Sequence, residues 1–579
     1  MTTRIAEYIV RRLQQQNVDT LFGVPAVYCA QLFETAAGLN MKTVVTASDL
    51  EAGYAADGYA RRKGLGAVSV SYGVGTLSLA NAVAGAYAER SPVVVINGGP
   101  DQSSIDELNT YGILFSHSIG NAHTDLDVFT SITGLADRVS TAAAAPGQID
   151  NALSVAIMRK RPVYLEVPKG MWTAQCMDPA QPLPSGPTPS GSEGAIASDI
   201  LARMRTAASP LLILGIELQR YGLAAAATEL VGKLSATFPA KLHWASTLLA
   251  KSIVPETQNP QQFAGVFADH CPQTLANLIG SSDLIVALGC VLGSGHSALI
   301  KPAFDRNVVV HALDGEVRSL GGPAQSADIV ALVQDLNSMA LMTGGRNAVH
   351  RETPDSIGAG SADLVSGADE GYHNRSQDEA GVISTAVPVS NGLSYGELFD
   401  GISNGGFLDG TWLIIPDTFL GEYAAARLQL QGQDTFLTSA IWASIGHSVG
   451  AAVGAAMGTT LRVLAICGDG GFQMMAPALS TMVRQGQSTV VIVVDNGMYG
   501  IEQFLRDSSF YSSNADPLPY VTLNRWDYAK LANAWGFTFA AVASSPATLA
   551  SALAGAKGVA NGPALIQAVV QSRSLPPQL

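Results

Sequence analysis

Short runs of consecutive apolar residues recur along the chain, separated by stretches whose apolar positions return every three to four residues. That is the rhythm of buried parallel strands covered by helices. From Ile5 to about Val167 the runs Ala67-Val68-Ser69-Val70 and Val93-Val94-Val95-Ile96 predict strands of a first α/β block. The rhythm breaks at Asp178-Pro179-Ala180-Gln181-Pro182-Leu183-Pro184-Ser185-Gly186-Pro187, where the prolines deny both helix and sheet their N–H donors, so a linker is expected. A second α/β block is marked by Pro210-Leu211-Leu212-Ile213-Leu214-Gly215, Asp283-Leu284-Ile285-Val286-Ala287-Leu288-Gly289 and Val308-Val309-Val310-His311-Ala312-Leu313-Asp314. Residues 343–391 are rich in Gly, Ser, Asp and Glu with few bulky apolar side chains, the composition of a long crossing linker. Strand patterns resume at Trp412-Leu413-Ile414-Ile415, Leu461-Arg462-Val463-Leu464-Ala465-Ile466-Cys467 and Thr489-Val490-Val491-Ile492-Val493-Val494. The expected fold class is α/β, with three doubly wound parallel-sheet domains spanning 1–177, 193–342 and 392–579. No close sequence repeat relates them, so any kinship is architectural.

Composition narrows the class of protein. The 579 residues suffice for two to four domains, and 47% hydrophobic residues supply several cores. A formal net charge of −14 argues against a nucleic-acid-binding surface, so anionic ligands must be met by local features instead of a global field. The five cysteines, Cys29, Cys176, Cys271, Cys290 and Cys467, lack paired spacing and suggest neither a disulfide framework nor a zinc site. The N-terminal Met1-Thr2-Thr3-Arg4-Ile5-Ala6-Glu7-Tyr8 has no signal-peptide core, and no apolar stretch is long enough to span a bilayer. A cytoplasmic enzyme with reduced thiols and no nucleic-acid or membrane partner is the expectation.

Chemistry concentrates near the end of the third block. Gly468-Asp469-Gly470-Gly471 follows a predicted strand, and Asn496 follows the next one, 27 positions after Asp469 (496 − 469). Glycines after a strand let backbone N–H groups approach phosphate oxygens without an intervening side chain. Asp469 and Asn496 then lie at neighbouring strand ends, one helix apart, and their hard oxygens suit Mg2+ or Ca2+ shared with a diphosphate.

That spacing resembles the signature of thiamine diphosphate enzymes, Gly-Asp-Gly followed by about 25 to 30 residues and an Asn. Leu21-Phe22-Gly23-Val24-Pro25, Glu51-Ala52-Gly53-Tyr54-Ala55-Ala56-Asp57-Gly58-Tyr59-Ala60-Arg61, Tyr72-Gly73-Val74-Gly75 and Tyr87-Ala88-Glu89-Arg90-Ser91-Pro92 are similar, in the same order, to segments of pyruvate and indolepyruvate decarboxylases. The resemblance implies pyrimidine-binding, middle and diphosphate-binding domains, with thiamine diphosphate and Mg2+ as cofactors. It implies that Glu51 bonds the cofactor's pyrimidine and activates it. In that family this glutamate comes from one subunit and the diphosphate domain from another, so a homodimer or homotetramer is expected. In Ile441-Trp442-Ala443-Ser444-Ile445-Gly446-His447 it assigns the backbone carbonyl of Ala443 to the pyrimidine and the side chain of Ile445 to a wedge beneath the bent cofactor; a plain core role for Ile445 is the alternative. It makes Asp469, Asn496 and the carbonyl of Met498 the metal ligands, with Gly468, Gly470 and Gly471 around the diphosphate. Asp417, in Asp417-Thr418, either contacts the diphosphate or caps a helix. Glu502 matches a second catalytic glutamate, expected as a buried proton donor or relay.

The substrate side departs from the family pattern. The related decarboxylases carry an Asp in Val-Pro-Gly-Asp-Tyr and a His-His pair; here stand Val24-Pro25-Ala26-Val27-Tyr28 and Phe115-Ser116-His117-Ser118. Ala26, Val27, Tyr28, Ser116 and His117 are the candidate substrate pocket, with His117 the one imidazole left from the pair and a candidate catalytic group. Val27 cannot carry a proton, so aldehyde release should slow and the acyl-anion equivalent persist for an aldehyde or ketone acceptor. The expected activity is that of a lyase or transferase, a carboligase taking a small 2-oxo acid donor. A plain 2-oxo acid decarboxylase, a C–C lyase acting on a diketone, and a catalytically weak regulatory homologue remain as alternatives.

Overall fold

The computed structural model of the chain describes residues 2–179, 181–341 and 388–579. The linker expected over 343–391 therefore lies outside the described residues apart from 388–391, as does Ala180 of the first linker.

The first domain is built on a six-stranded, wholly parallel sheet in the spatial order Lys42–Val45, Thr20–Gly23, Gly66–Ser69, Val93–Gly99, Val163–Pro168, Leu135–Arg138. Its central strands are buried on both faces, which is why they read as unbroken apolar runs without alternation. The third domain carries a five-stranded parallel sheet in the order Trp412–Pro416, Arg462–Gly468, Val490–Asp495, Ala564–Val569, Phe539–Ala543. In the middle domain five parallel strands, Phe263–Phe267, His243–Thr247, Pro210–Leu214, Leu284–Leu288 and Val309–Leu313, are extended by Glu316–Ser319 and Ala324–Ser326, which run antiparallel at the edge. This sheet is thus mixed where the sequence reading expected parallel strands throughout. The cause is the two-residue turn Asp314-Gly315, both residues at positive φ (55° and 75°), which reverses the chain into a hairpin. Among the described residues no helix is long and apolar enough to cross a membrane.

The first and third domains touch backbone to backbone. Helix Asp49–Lys63 crosses helix His447–Gly458 so closely that a Cβ on Gly454 would fall 1.7 Å from the carbonyl oxygen of Ala55, and one on Gly58 2.1 Å from that of Ala451. Only glycine permits that approach. Beside the crossing lies a buried ionic network. Arg61 pairs with Asp57 at 2.9 Å and Glu89 at 2.7 Å and donates to the carbonyl of Thr438, while Asp57 meets His447 Nε2 at 2.7 Å. Each charge finds an opposite partner, as burial demands.

Candidate active site

The carboxyl ends of the first three strands of the third sheet enclose a cavity lined by Asp417, Phe419, Ile445, Gly468, Asp469, Asn496, Met498 and their neighbours. Asp469 opens a short helix directly after strand Arg462–Gly468 and is 2% exposed. Its carboxylate accepts N–H groups from Gly470 at 2.9 Å and Gly497 at 2.6 Å. Burial first, and then the neighbouring Asp495 carboxylate, push its pKa up to about 7. The nearby guanidinium of Arg525 is bonded to Asp495, so Asp469 remains an enclosed acid without a bonded cation among the described residues. Asn496 lies beside it, its amide oxygen accepting Met498 N–H at 3.1 Å. Met498 buries its side chain with Phe510 and Val521, so what it offers the cavity is backbone. A carboxylate, an amide oxygen and a carbonyl around a desolvated anion fit a divalent cation bound through oxygen.

The glycines of the motif do different work from one another. A Cβ on Gly468 would point into open space, whereas one on Gly470 would strike the Tyr499 ring at 2.3 Å and one on Gly471 the Asp417 carboxylate at 2.4 Å. Gly468 leaves open space beside its backbone, whereas Gly470 and Gly471 are demanded by the closeness of the adjoining loops.

The segment 441–448 is clamped at both ends by buried carboxylates. Glu89 of the first domain accepts the N–H groups of Ile441 at 2.9 Å and Trp442 at 3.0 Å. Asp417 accepts those of Gly446 at 2.8 Å and Ser448 at 3.0 Å. Asp417 thus holds the N-terminus of helix His447–Gly458; the helix that follows it in sequence, Leu420–Ala426, has Phe419 as its N-cap. Between the clamps Ala443 sits at φ 56°, a left-handed conformation unusual for alanine. Ser444 meets Tyr54 Oη at 2.7 Å and accepts from Asn81 at 3.1 Å. Ile445 faces the cavity and joins none of the apolar clusters among the described residues, which favours the wedge over the core role.

The first-domain candidates gather at the carboxyl edge of their own sheet. Glu51, in the first turn of helix Asp49–Lys63, is 0% exposed; Oε2 accepts Ala47 N–H at 2.8 Å, and Oε1 makes no hydrogen bond of normal geometry, with the Thr481 hydroxyl of the third domain near the carboxyl. Burial raises its pKa. Tyr28, Ser116 and His117 come together: the Tyr28 hydroxyl donates to the Ser116 carbonyl at 3.4 Å, and the Tyr28 and His117 rings lie 6.4 Å apart. Ala26 is half-buried, while Ser116, His117 and the 72% exposed side chain of Val27 open to solvent. None of these first-domain residues lines the third-domain cavity of the same chain. Glu502 is exposed, a correction to the expected buried carboxylate: helix Gly500–Arg506 turns Gly500 and Gln503 inward and Glu502 out.

Sequence reasoning missed the clamp by Glu89, although its motif was noticed, and missed Ser572, whose hydroxyl donates to the carbonyl of Asn496 at 2.6 Å and accepts Val389 N–H. A charged residue inside the apolar surroundings of Tyr87-Ala88-Glu89 was the available signal for the first; nothing in the local pattern marks the second.

Three family models match the chain in order: the N-terminal TPP binding domain of thiamine pyrophosphate enzymes over residues 3–124, their central domain over 197–340, and their C-terminal TPP binding domain over 420–568. The chain is 33% identical over 318 residues to an indole-3-pyruvate decarboxylase of Azospirillum brasilense, a match spanning 54% of the chain and 56% of that protein. It is 29% identical over 554 residues to pyruvate decarboxylase 3 of Oryza sativa subsp. japonica, covering 91% and 84% of the two chains. With pyruvate decarboxylase isozyme 1 of Saccharomyces cerevisiae it shares 25% identity over 549 residues, 92% and 88% of the two.

Proposed function

Because the chain belongs to the thiamine diphosphate-dependent 2-oxo acid decarboxylase family, we propose that it removes CO2 from a small 2-oxo acid and passes the remaining acyl-anion equivalent to an aldehyde or ketone acceptor. The cofactor, held with Mg2+, supplies the carbon nucleophile and electron sink when bound. Asp469, Asn496 and the Met498 carbonyl hold the metal, and Gly468, Gly470 and Gly471 leave the diphosphate its room. Ile445 props the cofactor's rings, and the Ala443 carbonyl, turned by its left-handed backbone, orients the pyrimidine. Glu51 holds a proton at Oε1; burial favours that protonated form. His117 and Tyr28 orient the substrate carboxylate, and Glu502 meets the site once a second subunit covers it.

A second chain is part of this reading. The cavity of one chain is lined by third-domain residues alone, while the exposed Val27, Val74 and Leu77 of the first domain and Trp442, Met474 and Leu505 of the third leave apolar surface for a partner copy. A homodimer, or a tetramer built from two, joins Glu51 of one subunit to the metal loop of the other.

The observation that carries carboligation over simple release is that position 27 is an exposed valine, a side chain that cannot deliver a proton. The names of the relatives favour the second reading, plain decarboxylation with aldehyde release. Incubating the holoenzyme with 2-oxo acids, with and without an aldehyde or ketone acceptor, and following CO2, free aldehyde and ligated product together separates the two. Ligated product in excess of aldehyde is expected; aldehyde matching CO2 one for one would establish the second reading.

A further inference from the structure

We propose that Phe419 is a specificity-determining residue of this site: a strained backbone turns its ring into the cavity, where it bounds the space left for the side chain of the 2-oxo acid. The inference rests on the reading of the site as one for 2-oxo acids.

Phe419 has φ 63° and ψ −122°, the first central position of a type II′ turn, which glycine normally fills because a Cβ crowds the backbone there. The surroundings over-determine the conformation. Its N–H faces the buried Glu422 carboxyl, which also accepts from the Thr438 hydroxyl at 3.1 Å, and its carbonyl accepts Tyr423 N–H at 2.8 Å. Glycine would satisfy the same bonds without strain, so the phenyl ring itself needs an explanation. Core packing does not provide one. Leu420 and Ile501 belong to or pack against the third domain's apolar core, whereas Phe419 joins none of the apolar clusters among the described residues and is half-buried.

Phe419 lines the cavity instead. The polar groups of Asp469 and Asn496 share that lining with the apolar residues Phe419, Leu420, Ile445 and Ile501. With a metal and diphosphate held by the oxygen ligands, these apolar residues are what the substrate's own side chain would meet. Strained residues persist where the strained geometry is used. A phenyl wall there selects 2-oxo acids with short aliphatic side chains and excludes arylalkyl ones.

The test compares wild type, Phe419→Ala and Phe419→Gly. Alanine removes the ring and keeps the strain; glycine removes both. Calorimetric binding of methyl, isobutyl and benzyl acylphosphonates, 2-oxo acid analogues that cannot lose CO2, is measured on the holoenzymes, together with kcat and KM for the matching 2-oxo acids and the melting temperature of the cofactor-free proteins. Both variants should gain about tenfold in affinity for the benzyl analogue relative to the methyl one, the scale on which a pocket wall discriminates apolar groups. Phe419→Gly should melt above Phe419→Ala. An unchanged benzyl-to-methyl ratio in both variants overturns the specificity role, and equal melting temperatures overturn the strain. Analogue binding by a wild type that turns over no 2-oxo acid sinks the proposed function while the affinity ratio still decides the role of Phe419. Failure of all three proteins to bind any analogue overturns both.

Discussion

Glu51 and Asp469 are both carboxylates closed off from water, and they are compensated in different ways. Asp469 uses its two oxygens on backbone amides and stays short of positive charge; Glu51 leaves one oxygen without a well-formed hydrogen bond, only the Thr481 hydroxyl lying near the carboxyl. An acceptor so placed and 0% exposed is costly unless a ligand or proton uses it. Glu51→Gln keeps the shape and removes the acid. It should lower kcat by about 10²- to 10⁴-fold, the usual worth of a general acid–base, while thiamine diphosphate affinity, read by tryptophan quenching, stays within a few-fold; full turnover in the variant would refute the assignment. Val27 poses the converse test. Val27→Asp restores a carboxylate beside Tyr28 and should raise the ratio of aldehyde to ligated product, and an unchanged ratio would show that proton supply at this loop does not govern product fate. Legibility from sequence was greatest for residues like these, whose role follows from chemical type and motif. It failed for Phe419, because a backbone angle imposed by Glu422 and Tyr423 is written in no local pattern, and for Glu502, whose facing depends on which turn of a short helix is buried.

At the scale of elements, the crossing of helices Asp49–Lys63 and His447–Gly458 sets the distance between the first and third domains. Gly454→Ala would push a methyl carbon into the carbonyl of Ala55, 1.7 Å from the ideal Cβ. We expect a loss of about 1–3 kcal/mol in urea unfolding, the usual cost of overpacking, with a larger drop in kcat because segment 441–448 moves with its helix. Stability and activity both at wild-type levels would mean the helices slide apart freely. The strands were readable because doubly buried parallel strands are long apolar runs: Val93–Gly99 and Val490–Asp495 fall within a few residues of expectation. The antiparallel edge of the middle sheet was missed although Asp314-Gly315 is a hairpin dipeptide, since the strands beyond it, Glu316–Ser319 and Ala324–Ser326, are polar and largely exposed.

For the molecule as a whole, the joins between domains are ionic as well as apolar, and these were the least legible of all, since residues hundreds of positions apart supply them. Glu217 of the middle domain faces Arg90 of the first at 3.4 Å and both its oxygens accept the Asp314 N–H. Burial, then the Asp314 carboxylate, push its pKa up to about 7. An unfolded glutamate titrates near 4.3, so the folded state binds this proton more tightly. The stability it contributes is complete below the unfolded value and is lost as pH rises through about 7. Glu217→Gln should therefore gain in melting temperature over wild type between pH 5 and pH 8, and a constant difference across that window would show that Glu217 is ionised throughout. The buried network of Asp57, Arg61, Glu89 and His447 has a consequence in time. During synthesis Glu89 emerges 358 residues before His447 (447 − 89), and at about 5–20 residues per second that is roughly 20–70 s. Through that interval the nascent first domain holds two acids against one arginine, with the amides of Ile441 and Trp442 and the imidazole of His447 still to be made. Its folding is left unfinished until the ribosome has nearly reached the metal loop.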